Sequence, residues 1–491
     1  MNTLSFTGAI LVLVGLYAYH VSASDKRLDK YPGPFIARWT TLYKKYFETI
    51  MHGAWVDEVE RLHRLYGPIV RVGPKELHFS NPDAYNDIYA VGSRFAKDPD
   101  TYSAVTSFLH LFGVLDPQEA LTRRTMIQPY FSKRSVSDRT WLVQQKVDQY
   151  LDELLLKHAK DKVPVDLEYA LRPFFSTTIA TFAFPDLEQC HALTTSGLAS
   201  TVTDTPDRNT IWFLMKNLHP VVVKILTSTT TRISLKEMDA LEILAADALQ
   251  SFPSDVEETN ANFFHILLKR SQFKRPPNPR KWLASEALNL KFAGVDTTAN
   301  PVFFAIRGVL GSHKIWDKLT NELYDAWPDL EGPAPDLVTL EKLPYLTAVI
   351  KEGLRLSIGV ITPMNRVVGE DTIVAGEYIP ARTVIGMSNS FMHLHPDIFP
   401  EPHVFKPERW LQENSQKLDK YLVVFSRGPR SCVGMHFAWC MMYLLLANMF
   451  RKLEIYPTSA DDLRAPFHLR DDFVSVFVGK SVHLHFERKQ N

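Results

Sequence analysis

The chain has 491 residues, 45% of them apolar and 22% charged, with 55 Lys plus Arg against 55 Asp plus Glu. That balance suits a globular protein with a large core and gives no basic footprint for a nucleic-acid partner. Three cysteines cannot form a disulfide framework and fit a reducing compartment. Cys190 and Cys440 read as buried small apolar residues.

Residues 1–24 carry no charge, and the run LSFTGAILVLVGLYAYHV (4–21) has the length of a membrane-crossing helix. Lys26, Arg27 and Lys30 follow it and no Lys or Arg precedes it, which predicts an uncleaved anchor with the rest of the chain in the cytosol. A cleaved signal peptide is the rival reading, and it wants a basic segment before the apolar run. Tyr31-Pro32-Gly33-Pro34 then forms a stiff turn. The expected organisation is an anchor over 1–24, a basic, proline-rich hinge over 25–35 and one large body over 36–491.

Residues 67–80 alternate around a Gly-Pro and predict a hairpin. The pattern over 118–250 is mainly helical, with breaks near Pro185, Pro206 and Pro220. The stretch SQFKRPPNPRK (271–281) predicts a loop, 282–310 a long apolar helix, and 346–356 another helix. Residues 360–392 predict short strands, and the proline-rich 393–410 an ordered irregular loop. The last helix is expected to begin at Val433 and run to about 453. The fold class is mainly α with a small β portion.

Within FSRGPRSCVG (425–434), Cys432 has no nearby CxxC partner, and His436 alone does not complete a zinc site. A lone thiolate suits a site where a cofactor supplies the other ligands, as haem does. A helix starting just after Cys432 would stabilise the thiolate. Gly428 and Gly434 let backbone approach a flat macrocycle. Arg430 can pair with a propionate, and Phe425 can shield the sulfur. Taken alone, such a cysteine is ordinarily a structural residue in a tight turn.

Together, Phe425, Gly428, Arg430, Cys432 and Gly434 match FxxGxRxCxG, and the chain resembles the cytochrome P450 family. Further motifs follow in that family's order. KEGLRL contains Glu352 and Arg355, an ExxR pair that is uninformative alone but lies on one helix face. With Arg409 of Pro407-Glu408-Arg409-Trp410, which has Trp where the family has Phe, the resemblance implies a buried network behind the haem. AGVDTT (293–298) sets Gly, Asp and Thr inside an apolar helix, a conflict with helix propensity expected at functional sites. By resemblance, Gly294 makes room for dioxygen while Thr297 and Asp296 relay protons. The bland alternative is a threonine bonded to its own backbone beside a solvated aspartate.

Arg124, Arg366 and Arg430 match the family's propionate-binding arginines. Ala120 stands where the family has Trp or His, which leaves Arg123 as an alternative to Arg124. The segments YGPIVRVGPKELHFSNP, FSKRSV and HPDIFPEPHVFKPERW resemble fungal microsomal members, with the trichodiene-oxygenase-like group nearest.

The resemblance implies haem b on Cys432 and insertion of one oxygen atom from dioxygen into a lipophilic secondary metabolite (terpenoid, meroterpenoid or polyketide intermediate). Electrons would come from NADPH through a cytochrome P450 reductase, in the endoplasmic reticulum membrane. Lys133, Arg134 and Arg427 could meet the reductase. Phe108, Phe112, Ile211, Trp212, Phe213, Phe292 and Ile361 are candidate pocket residues. A haem-thiolate isomerase or dehydratase, and a non-catalytic membrane-anchored binding protein, are the alternatives.

Overall fold

A computed structural model describes residues 24–90, 92–93, 95–102, 109–161, 163–184, 241–250, 262–270 and 278–489. The apolar run over 4–21, Cys190, Phe108, Ile211, Trp212 and Phe213 lie outside the described residues. Among the described residues no helix is long and apolar enough to cross a membrane.

The longer helices among the described residues are α1 (Trp55–Tyr66), α2 (Pro82–Tyr89), α3 (Pro117–Ile127), α4 (Thr140–Asp161), α5 (Leu167–Ala183), α6 (Phe263–Arg270), α7 (Pro279–Gly294), α8 (Asp296–Leu310), α9 (His313–Ala326), α10 (Pro344–Ser357) and α11 (Met435–Lys452). Several starts follow from local chemistry. Asp116, Asp166 and Asn278 accept backbone N–H bonds at the first turns of α3, α5 and α7, and proline opens α3, α7 and α10, where a missing N–H costs nothing.

The expected helix over 282–310 is instead two segments. α7 starts at Pro279, within the stretch expected as a loop, and α8 begins at Asp296 after a break at Val295. The Thr297 hydroxyl donates to the Ala293 carbonyl at 2.5 Å, a side-chain bond that competes with the regular ladder and bends helices. Gly294 lets α5 approach closely at the break: a Cβ there would sit 2.5 Å from Ile179 Cδ1, which would have to shift.

The hairpin over 67–80 is β1 (Ile69–Gly73) and β2 (Glu76–Phe79), antiparallel with an irregularity between Arg71 and Gly73. With β3 (Ala96–Lys97), β5 (Arg366–Val367) and β8 (Val384–Gly386) it makes a five-stranded sheet ordered β1-β2-β8-β5-β3. β4 (Val165–Asp166) joins β9 (Leu453–Pro457) and β12 (His483–Arg488) in a three-stranded sheet. β6 (Thr372–Val374) pairs with β7 (Glu377–Ile379), and β10 (His468–Asp472) with β11 (Val474–Val478). Short strands therefore do occupy 360–392.

Residues after the apolar run lie against this sheet. Leu28 and Tyr31 are buried. The fully buried Arg71 guanidinium donates to Asp29 Oδ1 at 2.8 Å and to the Asp25 and Pro74 carbonyls. The main core lies among α4, α5, α7, α8, α10 and α11, where Trp282, Phe174, Phe175 and Phe182 are fully buried. α8 lies against α10 and α11, so the halves of the chain that carry AGVDTT, ExxR and the Cys432 loop share one core.

Candidate active site

The Cys432 loop is held by its own backbone. The Cys432 N–H donates to the Phe425 carbonyl at 2.8 Å, and Gly428–Arg430 forms a 3₁₀ turn. Gly428 has φ +66, and a Cβ there would lie 2.4 Å from the Ala90 carbonyl oxygen, so only glycine fits. Gly434 has φ −82, and a Cβ there would meet only the Cys432 sulfur, at 3.9 Å.

The helix starts at Met435 rather than Val433, with Gly434 as its N-cap. The Gly434 N–H still bonds the Cys432 sulfur. Cys432 is exposed, whereas Cys440 is fully buried as expected. Protein crowding around the sulfur pushes the thiol up, against the Gly434 N–H and the Arg124 charge. The sulfur is thus reachable yet poorly hydrated, and access decides whether it can ligate.

Four cations converge near this loop. Arg124 donates to the Ser431 carbonyl at 2.6 Å and to Ser431 Oγ at 3.1 Å. Arg430 donates to the carbonyls of Val114, Leu115 and Asp116 at 3.0, 3.0 and 2.9 Å. Burial lowers its pKa to about 10, and the nearby Arg366 adds to that. Arg366 is buried and donates to Tyr102 Oη at 2.9 Å and the Met364 carbonyl at 2.7 Å.

The fourth cation, Lys97, escaped the sequence reading. Its Nζ donates to the Phe112 carbonyl at 2.6 Å and sits 4.2 and 4.0 Å from the Tyr102 and Phe112 ring centres. Burial holds its pKa well below the ordinary lysine value, and the charges of Arg366 and Arg430 push the same way. Among the described residues none of these four cations is in a salt bridge. Arg123 turns elsewhere, to the Leu109 carbonyl and to Glu119, so Arg124 is the member of the pair that reaches the loop.

The ExxR pair is buried, with both side chains fully inaccessible. Arg355 donates to both Glu352 oxygens at 3.0 and 2.7 Å, and Arg409 Nε donates to Glu352 Oε1 at 3.1 Å. The remaining guanidinium hydrogens go to the carbonyls of His393, Pro400, Glu401, Pro402 and Val404. Trp410 does what phenylalanine could not: its indole N–H donates to Glu352 Oε2 at 2.9 Å.

On α8, Asp296 is half-buried and paired rather than freely solvated. Its Oδ1 accepts from Arg172 Nε on α5 at 3.0 Å, and Arg172 also pairs with Glu168. Thr297 is half-buried and bonded to Ala293.

Phe292 is 50% exposed. Phe112 packs edge-on against Phe473 at 5.8 Å and lies 5.5 Å from Tyr102. Phe473 holds φ +75 at the tip of β10–β11, an outlier for an aromatic residue. Nothing near position 473 in the sequence signals it, because its partner lies far away along the chain. Ile361 is buried in a small cluster with Val56 and Ile358, so its side chain is core. Phe425 lies 6.4 Å from Trp439. Lys133 is paired with Glu341 and Arg427 is bonded to Asn86, while Arg134 is highly exposed with Asp138 4.0 Å away.

One accessible sulfur beside Arg124, Arg366, Arg430 and Lys97, none of them in a salt bridge among the described residues, fits an iron macrocycle carrying two carboxylates. Arg366 and Lys97 are buried, and burial with the neighbouring arginines disfavours the Lys97 charge, so an anionic guest would stabilise both.

The family model of cytochrome P450 matches residues 32–478. The chain is 29% identical to the cytochrome P450 monooxygenase flvC of Aspergillus flavus over 98% of this chain and 97% of that protein. It is 30% identical to the cytochrome P450 monooxygenase TRI4 of Fusarium sporotrichioides, over 89% and 86%. It is 30% identical to conidiogenone synthase PchP450 of Penicillium rubens, over 93% of each. The fungal group expected from the sequence is thus among its relatives, and the chain belongs to the cytochrome P450 family of haem-thiolate monooxygenases.

Proposed function

We propose that this chain oxygenates a lipophilic secondary metabolite, of terpenoid, meroterpenoid or polyketide type, at a haem b held by Cys432. The observation that carries the reading is the accessible Cys432 sulfur beside Arg124, Arg366, Arg430 and Lys97, none of which is in a salt bridge among the described residues. Those four cations bind the propionates, with Lys97 supplying the contact that Ala120 cannot. Phe425 shields the sulfur, and Gly428 and Gly434 line the loop under the ring. When bound, the haem supplies dioxygen activation, fed by electrons from NADPH through a reductase.

The chain's own residues do the rest. Phe112, Phe292 and Phe473 offer an apolar wall that excludes water and orients an apolar substrate. The Thr297 hydroxyl spends its proton on the Ala293 carbonyl, so its lone pairs can accept from an incoming donor and its rotation can pass a proton on. Protonating Asp296 would loosen its bond to Arg172 and free the carboxyl to turn toward Thr297. The Glu352–Arg355–Arg409 network fixes the loop over 393–410 rigidly behind the site.

The anchor over 1–24, the hinge over 25–35 and the body over 36–491 complete the reading, with the chain on the endoplasmic reticulum membrane facing the cytosol. Exposed Phe35, Ile36, Leu42 and Ile50, close after the apolar run, support a membrane-facing surface there. Arg134 is the best placed of the three basic residues to meet an acidic reductase surface.

The test is co-expression with a reductase and feeding of candidate precursors under labelled dioxygen. One label atom should enter an apolar product. Thr297→Ala should keep the haem spectrum but divert reducing equivalents to peroxide. Turnover confined to small polar acids, or product without label, defeats the reading.

A further inference from the structure

Glu286 lies on α7, two turns before Gly294, and is almost completely buried. Its Oε1 accepts the Leu111 backbone N–H at 2.8 Å and the Trp282 indole N–H at 3.1 Å. Leu111 opens the 3₁₀ turn Leu111–Gly113, which presents Phe112 to Phe473. The same short loop is held at its carbonyls by Arg123, Lys97 and Arg430. Among the described residues, Glu286 is therefore the acceptor among four side-chain clamps, and the one that ties the loop to α7.

We propose that Glu286 is a positioning residue that latches the loop over residues 109–116 onto α7, and that release of this latch controls entry and exit of lipophilic ligands. This rests on the loop bordering the haem pocket, as proposed above.

The chemistry makes the latch sensitive to protons. Burial raises the Glu286 carboxyl to about 8, opposed by the Trp282 and Leu111 N–H bonds and by Arg123. The titratable and charged groups on the elements packed around it are Arg123 and Glu119 on α3, His110 and Lys97 by the loop, His265, Lys269 and Arg270 on α6, and Glu168 and Arg172 on α5. Arg123 is the one whose charge acts on Glu286. His110 is held down to about 4 by burial and stays neutral above pH 6.

An opened latch exposes Glu286 to water, where it titrates near 4.5. The closed state binds more protons, so closure is favoured at low pH. It weakens as pH rises from the open value toward about 8 and levels off above it. The limit is a tenfold change in the closed-to-open ratio per pH unit.

The test uses ferric holoenzyme loaded with clotrimazole, reduced and mixed with excess carbon monoxide, so that clotrimazole exit limits the change in the Soret band. In the wild type, exit should accelerate several-fold per pH unit from pH 6 to 8 and flatten above. Glu286→Gln keeps an acceptor oxygen without the ionisation. It should exit at the wild-type low-pH rate at every pH. Glu286→Leu should exit fast throughout. Hydrogen exchange of the peptide covering residues 109–116, corrected for intrinsic rates and measured without ligand, should follow the same three patterns. A flat wild-type profile, or a slope retained in Glu286→Gln, overturns the proposal. If exchange follows the patterns but clotrimazole exit does not, the latch exists without guarding the pocket, and both the gating proposal and the placement of the loop fail. A missing Soret change at the outset counts against the haem reading instead.

Discussion

Trp410→Phe tests whether the indole N–H supports the buried Glu352 network. Glu352 receives two bonds from Arg355, one from Arg409, one from the Lys406 N–H and one from Trp410. Phenylalanine removes the last, a hydrogen bond to a charged group, for which roughly 1.5–3 kcal/mol is typical. Oε2 still accepts from Arg355, which favours the lower half of that range. Trp410 also packs on Phe399 at 5.7 Å and on Ala348 in a buried cluster, and the smaller ring leaves space costing about another 1 kcal/mol. The expected destabilisation is about 2–3 kcal/mol. Glu352→Ala would be worse, since it strands two buried guanidinium groups, at about 3–5 kcal/mol. Urea unfolding followed by far-ultraviolet circular dichroism and by Soret absorbance measures both. A Trp410→Phe loss below about 0.5 kcal/mol would refute the reasoning and reduce Trp410 to a space-filler.

Lys97→Met should keep the packing on Tyr102 and Phe112 but lose one charge-assisted contact, speeding haem transfer to apomyoglobin by about ten- to a hundredfold. Arg123→Ala should leave that rate unchanged, and the reverse pattern would contradict the assignment. His63 and His78 are both neutral in the fold: His63 Nδ1 donates to the Gly67 carbonyl, His78 Nδ1 donates to His63 Nε2, and His78 Nε2 accepts the Ser388 N–H. Burial holds His63 down to about 4 and His78 well below 6.5. The unfolded imidazoles take up protons near 6.5, so the unfolded state binds more protons below that pH. Stability is therefore intact above about pH 6.5 and declines toward pH 4, by about 2 kcal/mol between pH 7 and 5 for His63 alone. Urea midpoints across that range check this. Replacing both rings with leucine should flatten the slope, and an unchanged slope would contradict it.

The legible parts of the site were those whose partners lie within a turn or a loop. Cys432 with its glycines, and Glu352 with Arg355, need only local spacing, and Arg409 follows once the family's order is recognised. The illegible parts are contacts between distant segments. Lys97 sits on a two-residue strand, and only the sheet brings it beside Arg366. Arg172 reaches Asp296 across two helices, Phe473 reaches Phe112 across most of the chain, and Glu286 looks like one more polar helix residue until Leu111 lies against it. Helix patterning found the apolar stretch over 282–310 but not its break, because the Thr297 bond to Ala293 and the Gly294 approach to Ile179 leave no mark on hydrophobic periodicity. The start of the last helix shifted by two residues for a similar reason, since the loop's own bonds, not propensity, decide where the first turn begins.

The central claim is that Cys432 holds a haem iron through its thiolate. The most direct measurement is the spectrum of the purified, reduced protein under carbon monoxide, for the wild type and Cys432→Ala. The wild type should show the strongly red-shifted Soret band of a thiolate-ligated haem, and Cys432→Ala should lose it together with all turnover. Well-folded wild-type protein without that band, or a Cys432→Ala protein that keeps it, would contradict the account.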